Sequence, residues 1–277
     1  MAKKKQLTPI LLQIFMTLSA ILYLIPLAIV VNYAFKTKSE LYLKSPLALP
    51  EAFYIDNFKE AIKKLDITTT LTNTFVYTAV SVIALALLCS AAAWAIARSR
   101  QKFFKFSYIY FLTGMLIPAQ SLFLSIYIVG YKTGLTDTRL GIILMYIATG
   151  MSFGVFIMTS FMTTVPVELE EAARIDGCSI YRTFFLIVMP LLKPAMATLI
   201  IMQAFGIWND YLMANLFVSS KKLLTITISM RKFFSTRTSD YTSAMAGIVI
   251  SALPICILFL SLQKYFIKGM MVGAIKG

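Results

Sequence analysis

The sequence contains no histidine, and its 12 acidic residues are outnumbered by 26 Lys and Arg among 277 residues. Without histidine the chain lacks the usual general base near neutral pH and the commonest zinc ligand. The sequence also has no Gly-x-x-x-x-Gly-Lys-Ser/Thr phosphate-binding loop, so we expect this chain not to hydrolyse ATP. These absences predict a non-catalytic protein without a cofactor or a metal ion.

Cysteine is scarce as well, with three residues in the whole chain. Cys89 and Cys256 lie within apolar runs, whereas Cys178 lies in a polar segment. An odd number of cysteines in such surroundings argues against a disulfide framework. We therefore expect three inert thiols.

Charged residues are also few: 14% of residues are charged and 59% are hydrophobic, and the mean hydropathy is +0.80. Six apolar runs each exceed the roughly 20 helical residues that cross a bilayer, and only Asp210 interrupts one of them. The runs cover residues 6–35, 67–97, 106–131, 140–167, 194–220 and 241–263. The sequence therefore predicts an all-α membrane protein with six transmembrane helices and both termini on one side. The first run is too long for a signal peptide, so we expect it to be retained.

The orientation follows from the density of basic residues rather than from their number. Dense clusters without acidic neighbours precede the first run and separate the second from the third, which favours a cytoplasmic position. They comprise Lys3, Lys4, Lys5, Arg98, Arg100, Lys102 and Lys105. The net charge of +14 is scattered among the connecting loops, so we expect contact with anionic lipid headgroups and not with nucleic acid.

A charged helix-turn-helix pattern separates the fourth and fifth runs. Pro166 suits the first turn of a helix, and the acidic residues Glu168, Glu170 and Glu171 suit its positive end. Gly177 is typical of the turn that ends such a helix. Ser179 is predicted to cap a second helix that runs to Met189, and two prolines then end this helix. The prolines are Pro190 and Pro194.

The spacing of this segment resembles the EAA loop of ABC importer permeases: E-A-A, two residues, D-G, nine residues, then I-x-x-P. Small alanines beside acidic residues also allow a partner surface to approach the backbone. Met189 stands where the family usually has Leu, a change that conserves volume. The matching residues are Glu171, Ala172, Ala173, Asp176, Gly177, Ile187 and Pro190.

The last nine residues, GMMVGAIKG, lack a periodic apolar pattern and predict a flexible tail. Together with the EAA loop they resemble the glycine-rich C-terminus of the smaller permease subunit of maltose-type carbohydrate importers. The resemblance implies a type I ABC importer permease fold. It implies an N-terminal tail, first span and outer segment in residues 1–70, a core domain in 71–266 with the coupling loop at about 163–190, and a cytoplasmic tail in 267–277.

The same resemblance implies a function and a set of partners. The chain is expected to form half of a translocation path for a sugar or oligosaccharide, working by alternating access in a bacterial or archaeal plasma membrane. Its partners are expected to be a second homologous permease, two ABC ATPase subunits that hydrolyse ATP, and an extracytoplasmic substrate-binding protein. Both termini are expected to be cytoplasmic.

Two alternatives share part of this pattern. An ABC permease for a non-sugar solute such as a glycerophosphodiester has every motif above. A secondary transporter needs intramembrane ionisable residues or inverted repeats, and the sequence offers only Asp210.

Asn209 and Asp210 are weak candidates for the translocation path. At ~1.5 Å per residue from Pro194, Asp210 lies about 24 Å along the fifth span, nearer its outer end than its middle. Two interpretations remain open: a residue hydrogen-bonded near the outer surface, or a residue lining the path. A similar Trp-Asn-acid sequence is frequent in sugar permeases, although Ala214 and Asn215 replace the Pro-Leu that often follows.

Two segments between spans are expected at the outer surface. In the first, Asn57 is predicted to cap a short helix whose apolar face is Phe58, Ile62 and Leu65. The second, residues 221–240, is too polar to span, and two interpretations remain open: it meets the binding protein, or it is a solvated connection. Its predicted accessible positions are Ser235 and Thr236.

Overall fold

The computed structural model describes residues 2–234 and 239–274. Regular structure in these residues is helical except for one β-bridge, between Phe234 and Ser239. The α-helices are α1 (Ala2–Ala34), α2 (Lys38–Leu43), α3 (Asp56–Leu65), α4 (Ile67–Arg98), α5 (Lys102–Leu116), α6 (Ala119–Lys132), α7 (Arg139–Met162), α8 (Glu168–Ile175), α9 (Ile180–Thr183), α10 (Met189–Leu191), α11 (Lys193–Trp208), α12 (Leu212–Phe217), α13 (Ile226–Met230) and α14 (Tyr241–Ala274).

The predicted all-helical membrane class is confirmed, whereas the predicted count of six spans stays a prediction. In the described residues, α1, α4, α7 and α14 are long and apolar enough to cross a bilayer. Two further pairs of helices pass the same test but are strongly bent, so the number of spans is four, or up to six if each pair counts as one.

The third predicted span is not a straight helix. α5 and α6 meet at an angle of 108°. Ile117, between them, adopts an extended conformation with φ −85° and ψ 120°. The next residue, Pro118, disfavours the helical conformation of its predecessor and lacks an N–H for the helical ladder, so the helix ends there.

The fifth predicted span is shorter than its apolar run. α11 ends at Trp208, and a new helix, α12, begins at Leu212. The backbone N–H groups of Met213 and Ala214 donate to the Asp210 carboxylate, at 3.3 and 2.8 Å. Asp210 thus satisfies the first amide groups of α12 and favours a fresh start over continuation of α11.

Two compact units divide the described chain, one in residues 1–67 and 229–253 and the other in 68–228 and 254–277. In the first unit, Asn57 is buried and its side-chain amide donates to the carbonyls of Ala34 and Lys36, at 2.9 and 2.7 Å. The predicted capping role of Asn57 is therefore wrong, because α3 begins one residue earlier and Asn57 holds the end of α1.

The predicted apolar face of α3 is also wrong in part. Its buried residues are Asn57, Ala61 and Leu65, whereas Ile62 is 46% exposed. The tertiary contacts of the Asn57 amide select a face about one residue away from the one that hydrophobicity selects.

In the second unit, α5 and α11 pack on α7, and one face of α4 is buried along its length. Gly150 and Gly154 of α7 leave room for two side chains of α4. A Cβ built on Gly154 would stand 2.4 Å from the Sγ of Cys89, and one on Gly150 would stand 2.6 Å from the Cδ1 of Leu85. The two glycines stand four residues apart, so both lie on one face of α7.

The first half of the 221–240 stretch is packed rather than solvated. Asn73 of α4 donates to the carbonyls of Lys222 and Leu224, at 2.8 and 3.1 Å. The backbone N–H of Ile226 donates to Thr74 at 2.9 Å. The polar end of α4 thus holds this stretch by its backbone, while Ser235 and Thr236 lie outside the described residues.

The C-terminal segment differs from the predicted flexible tail. α14 continues without a break through residues 269–274 and ends at Ala274. The helix begins at Tyr241. Extending an existing helix costs less free energy than nucleating one, and this offsets the helix-breaking tendency of the two glycines in the segment.

Candidate functional site

The predicted helix-turn-helix between α7 and α11 is present. α8 carries Glu168, Glu170 and Glu171 in its first turn, and its last residue is Ile175. Gly177 follows with φ +81°, in the left-handed region that glycine adopts without strain. Ser179 caps α9, accepting a hydrogen bond from the backbone N–H of Arg182 at 3.4 Å. The predicted turn at Gly177 and the predicted cap at Ser179 are both confirmed.

The second arm of this coupling loop, which we define as residues 163–190, is not a uniform α-helix. A π-helical turn spans Phe184–Val188, and the N–H of Met189 donates to the carbonyl of Phe184, five residues back. Because Pro190 has no N–H, the helical ladder is already interrupted there, and the wider turn accommodates it. The arm ends at Leu191, and α11 then departs at an angle of 74°.

Glu170 is the residue that sequence reasoning missed. The residue is 2% exposed, and its carboxylate accepts hydrogen bonds from Arg98 Nε and from Trp94 Nε1, both at 2.8 Å. Arg98 Nη2 also donates to the carbonyl of Val165 at 2.7 Å. The indole of Trp94 stacks on the ring of Phe184, with centroids 5.2 Å apart. We call Trp94, Arg98 and Glu170 the anchor cluster.

The sequence did carry one signal of this cluster. Trp94 and Arg98 stand four residues apart near the end of α4, so their donor groups share one helix face. Two donor groups on one face indicate that a hydrogen-bond acceptor lies nearby in the fold. The acceptor is 72 residues beyond Arg98, so the local sequence does not reveal it. The sequence interpretation counted Arg98 among loop charges, whereas it is the last residue of α4 and is paired.

The outer face of the coupling loop combines exposed apolar side chains with acids. Ile175 is 86% exposed, Tyr181 75% and Leu186 69%. Glu171 and Asp176 are also exposed. Exposed apolar side chains beside acidic residues are typical of a protein interaction surface.

The matched motif residues divide between this surface and the interior. Ala172, Gly177 and Pro190 are exposed, and Ile187 is half-buried. Ala173 is 4% exposed, and its carbonyl accepts from the N–H of Cys178 at 2.9 Å. The small side chain of Ala173 thus packs within the loop, whereas Ala172 is exposed.

Asp210 is fully engaged by its own chain. Besides the N–H groups that start α12, its carboxylate accepts from the hydroxyl of Tyr146 at 2.8 Å, and its carbonyl accepts from Thr227 at 2.7 Å. Asn209 is exposed and donates to the carbonyl of Phe205 in its own helix, at 3.0 Å. Asp210 is therefore hydrogen-bonded within its own chain, as the first of the two interpretations expected. Its role in starting α12 was expected by neither.

Asp210 also lines a cavity of about 200 Å³ among α6, α7 and α11. Other polar groups in its wall are Tyr146, Thr149 and Gln203, and Phe123 contributes an aromatic face. In the described residues, no group of three or more His, Cys, Asp or Glu side chains is placed to hold a metal ion.

Comparison with known proteins places the chain among transport proteins. Residues 86–272 match the family described as binding-protein-dependent transport system inner membrane component. The chain is 34% identical to a probable starch degradation products transport system permease protein of Thermoanaerobacterium thermosulfurigenes, with 93% of each protein covered. It is also 34% identical to a melibiose/raffinose/stachyose import permease protein of Bacillus subtilis, with 92% of each covered.

The fold is similar to that of a chain in the crystal structure of a bacterial ABC transporter involved in the import of the acidic polysaccharide alginate. The TM-score is 0.82 at 22% identity, covering 94% of this chain and 97% of that one. The helices and the coupling loop thus define a membrane permease of the type I ABC importer fold. The chain belongs to the family of inner membrane components of binding-protein-dependent transport systems.

Proposed function

We propose that this chain is one permease subunit of an ATP-driven importer for a sugar or oligosaccharide. Permeases of related sequence are described as a probable starch degradation products transport permease, a melibiose/raffinose/stachyose import permease and a maltodextrin transport permease. The observation that carries the proposal is the coupling loop, an exposed apolar and acidic surface fixed to a transmembrane helix by the anchor cluster. The other partners are a second homologous permease and an extracytoplasmic binding protein, and a related structure contains a periplasmic protein bound to an alginate pentasaccharide.

The coupling loop docks on an ATPase subunit. Its exposed Ile175 and Tyr181 enter an apolar cleft, and Glu171 faces a basic group at the cleft's edge. When two ATPase subunits close around ATP, the loop moves with them, and the transmembrane helices turn to open the path to the other side. In this arrangement the loop lies in the cytoplasm, as do both termini, and residues 71–266 form the core domain.

The docking surface is tested by Tyr181→Ala and Glu171→Lys in the full complex, extracted in detergent. We expect either change to weaken retention of the ATPases at least about tenfold, because buried aromatic anchors and paired charges at interfaces are commonly worth 2 kcal/mol or more. Tyr42→Ala, at a comparably exposed tyrosine on α2, is the control and should retain the ATPases. Unchanged retention by both loop variants would rule out this docking surface.

The cavity beside Asp210 forms part of the sugar path. Sugar sites combine an aromatic face with amide and hydroxyl groups, and Phe123, Thr149 and Gln203 supply these here. At about 200 Å³ the cavity is below the ~300–1,000 Å³ of complete small-molecule sites, so it holds part of a longer substrate. Asp210, whose hydrogen bonds are already made, shapes the wall rather than contacting the sugar.

This assignment separates Gln203 from Asp210 in experiment. Gln203→Ala should lower uptake of raffinose or maltodextrin, whichever the complex transports, while ATPase retention and protein amount stay unchanged. Asp210→Asn should instead lower the amount of folded protein, because only one of the two carboxylate oxygens remains and the amide nitrogen cannot accept the second of the hydrogen bonds that start α12. Equal transport by Gln203→Ala and the unmodified protein contradicts the path.

A further inference from the structure

The anchor cluster joins three parts of the chain at one buried carboxylate. Glu170 lies on α8, Arg98 and Trp94 form the last turns of α4, and Arg98 also holds Val165 just before α8. Trp94 in turn stacks on Phe184 in the second arm of the coupling loop, with ring planes 26° apart. Both arms are therefore tied to one helix end.

The chemistry of this tie is directional. The two carboxylate oxygens are each used once, by a guanidinium and by an indole N–H, so a change in the angle of α8 to α4 lengthens one of two charge-assisted bonds. Apolar packing between the same helices tolerates sliding. The side chain of Arg98 is 22% exposed and that of Glu170 is 3% exposed, so water screens the pair only weakly.

A buried ion pair is a weak source of stability, since apolar residues of similar volume often hold two elements together as well. Its use here is geometric. We propose that the anchor cluster is the positioning element that carries displacement of the coupling loop into α4, so that the helix lining the core moves when the ATPases move the loop. This inference rests on the proposed docking of the loop on the ATPases.

The test uses the complete complex, ATP and vanadate, and two spin-labelled positions. The labels are placed at Arg174→Cys on the loop and at Thr72→Cys near the far end of α4, both exposed, in a chain whose Cys178 and Cys256 are replaced by serine. In the otherwise unmodified protein, trapping with ATP and vanadate should change the signal of both labels.

The variant is the double substitution Arg98→Met with Glu170→Gln. It leaves no unpaired buried charge, and the glutamine oxygen still accepts from Trp94, so the loop stays folded and the ATPases stay bound. We expect the loop label to respond as before and the response of the α4 label to be lost or nearly lost. Arg98→Lys keeps the positive charge but not the planar guanidinium that donates to two acceptors, so it should give an intermediate response.

Three outcomes overturn the inference. If both labels of the double variant respond fully, the cluster is only structural. If the double variant no longer binds the ATPases or fails to accumulate, the pair serves folding rather than transmission. If the loop label is silent even in the unmodified complex, the loop is not the ATPase contact, and the proposed function falls together with the inference that rests on it.

Discussion

At the scale of single residues, two neighbouring glutamates on α8 differ in burial. Glu171 points outward and is exposed, whereas Glu170 is 2% exposed and paired with Arg98. One residue of helix rotates a side chain by about 100°, which suffices to separate an exposed charge from an internal one. The conspicuous acid of the motif is therefore not the acid that organises the loop.

Gly177 provides a sharp test at this scale, because a side chain placed there would strain the backbone without colliding with neighbouring atoms. Its φ is +81°, yet a Cβ at this position would meet nothing within 4 Å. Gly177→Val should therefore act through the backbone alone, at ~1–3 kcal/mol, and should reduce ATPase retention while the protein still inserts.

Gly177→Asn is the matched control, since asparagine tolerates the left-handed conformation. ATPase retention by size-exclusion chromatography, at equal amounts of membrane-inserted protein, distinguishes the two variants. Equal retention by the valine and asparagine variants would show that the turn does not need this conformation.

Glu40 gives a prediction about pH. The backbone N–H groups of Glu51 and Thr37 donate to its carboxylate, at 2.8 and 2.9 Å, and lower the pKa of Glu40 from 4.5 to about 2. A lowered pKa means that the ionised form stabilises the fold above pH 4.5 and that this stabilisation is lost as the pH falls toward 2.

We expect amide protection of residues 38–51, measured by hydrogen exchange and corrected for the intrinsic effect of pH, to fall between pH 4.5 and about 2. In Glu40→Gln the protection should be lower and independent of pH in this window. The same pH dependence in the glutamine variant would assign the effect to another group.

At the scale of elements, the packing of α4 side chains against α7 depends on two glycines. Gly154→Ala should destabilise the protein by ~1–3 kcal/mol, because the added Cβ meets the Sγ of Cys89 at 2.4 Å in a packed interface. Gly206→Ala in α11 is the control, since nothing lies within 4 Å of its added Cβ and alanine favours a helix by about 0.5–1 kcal/mol.

The thermal midpoint in detergent measures both changes. It should fall for Gly154→Ala and should stay the same or rise for Gly206→Ala. A fall of equal size in both would indicate a general effect of losing glycine from membrane helices and would remove the special role of the α4–α7 contact.

At the scale of the whole molecule, the proposed topology places the coupling loop and residues 221–222 on opposite sides of the membrane. Single cysteines at Arg174 and Lys221, both exposed, test this with an impermeant thiol reagent on intact cells. We expect Lys221→Cys to react from outside and Arg174→Cys to react only after permeabilisation, in a chain whose Cys178 and Cys256 are replaced by serine. Reaction of both from outside would refute the orientation.

The sequence by itself determined the class of protein and the position of its coupling loop. Apolar runs longer than a bilayer require helices, because backbone groups in hydrocarbon must bond within their own segment. Local rules likewise placed the turn at Gly177 and the cap at Ser179, since glycine and serine act on the backbone beside them.

Tertiary structure alone decided what depends on distant partners. Glu170 pairs with Arg98 across 72 residues, and the Asn57 amide bonds to the end of α1 rather than capping α3. Asp210 starts α12 and divides an apolar run that hydropathy treats as one span. A hydrogen bond or ion pair needs both members in place, and the chain shows one member locally while only the fold brings the other to it.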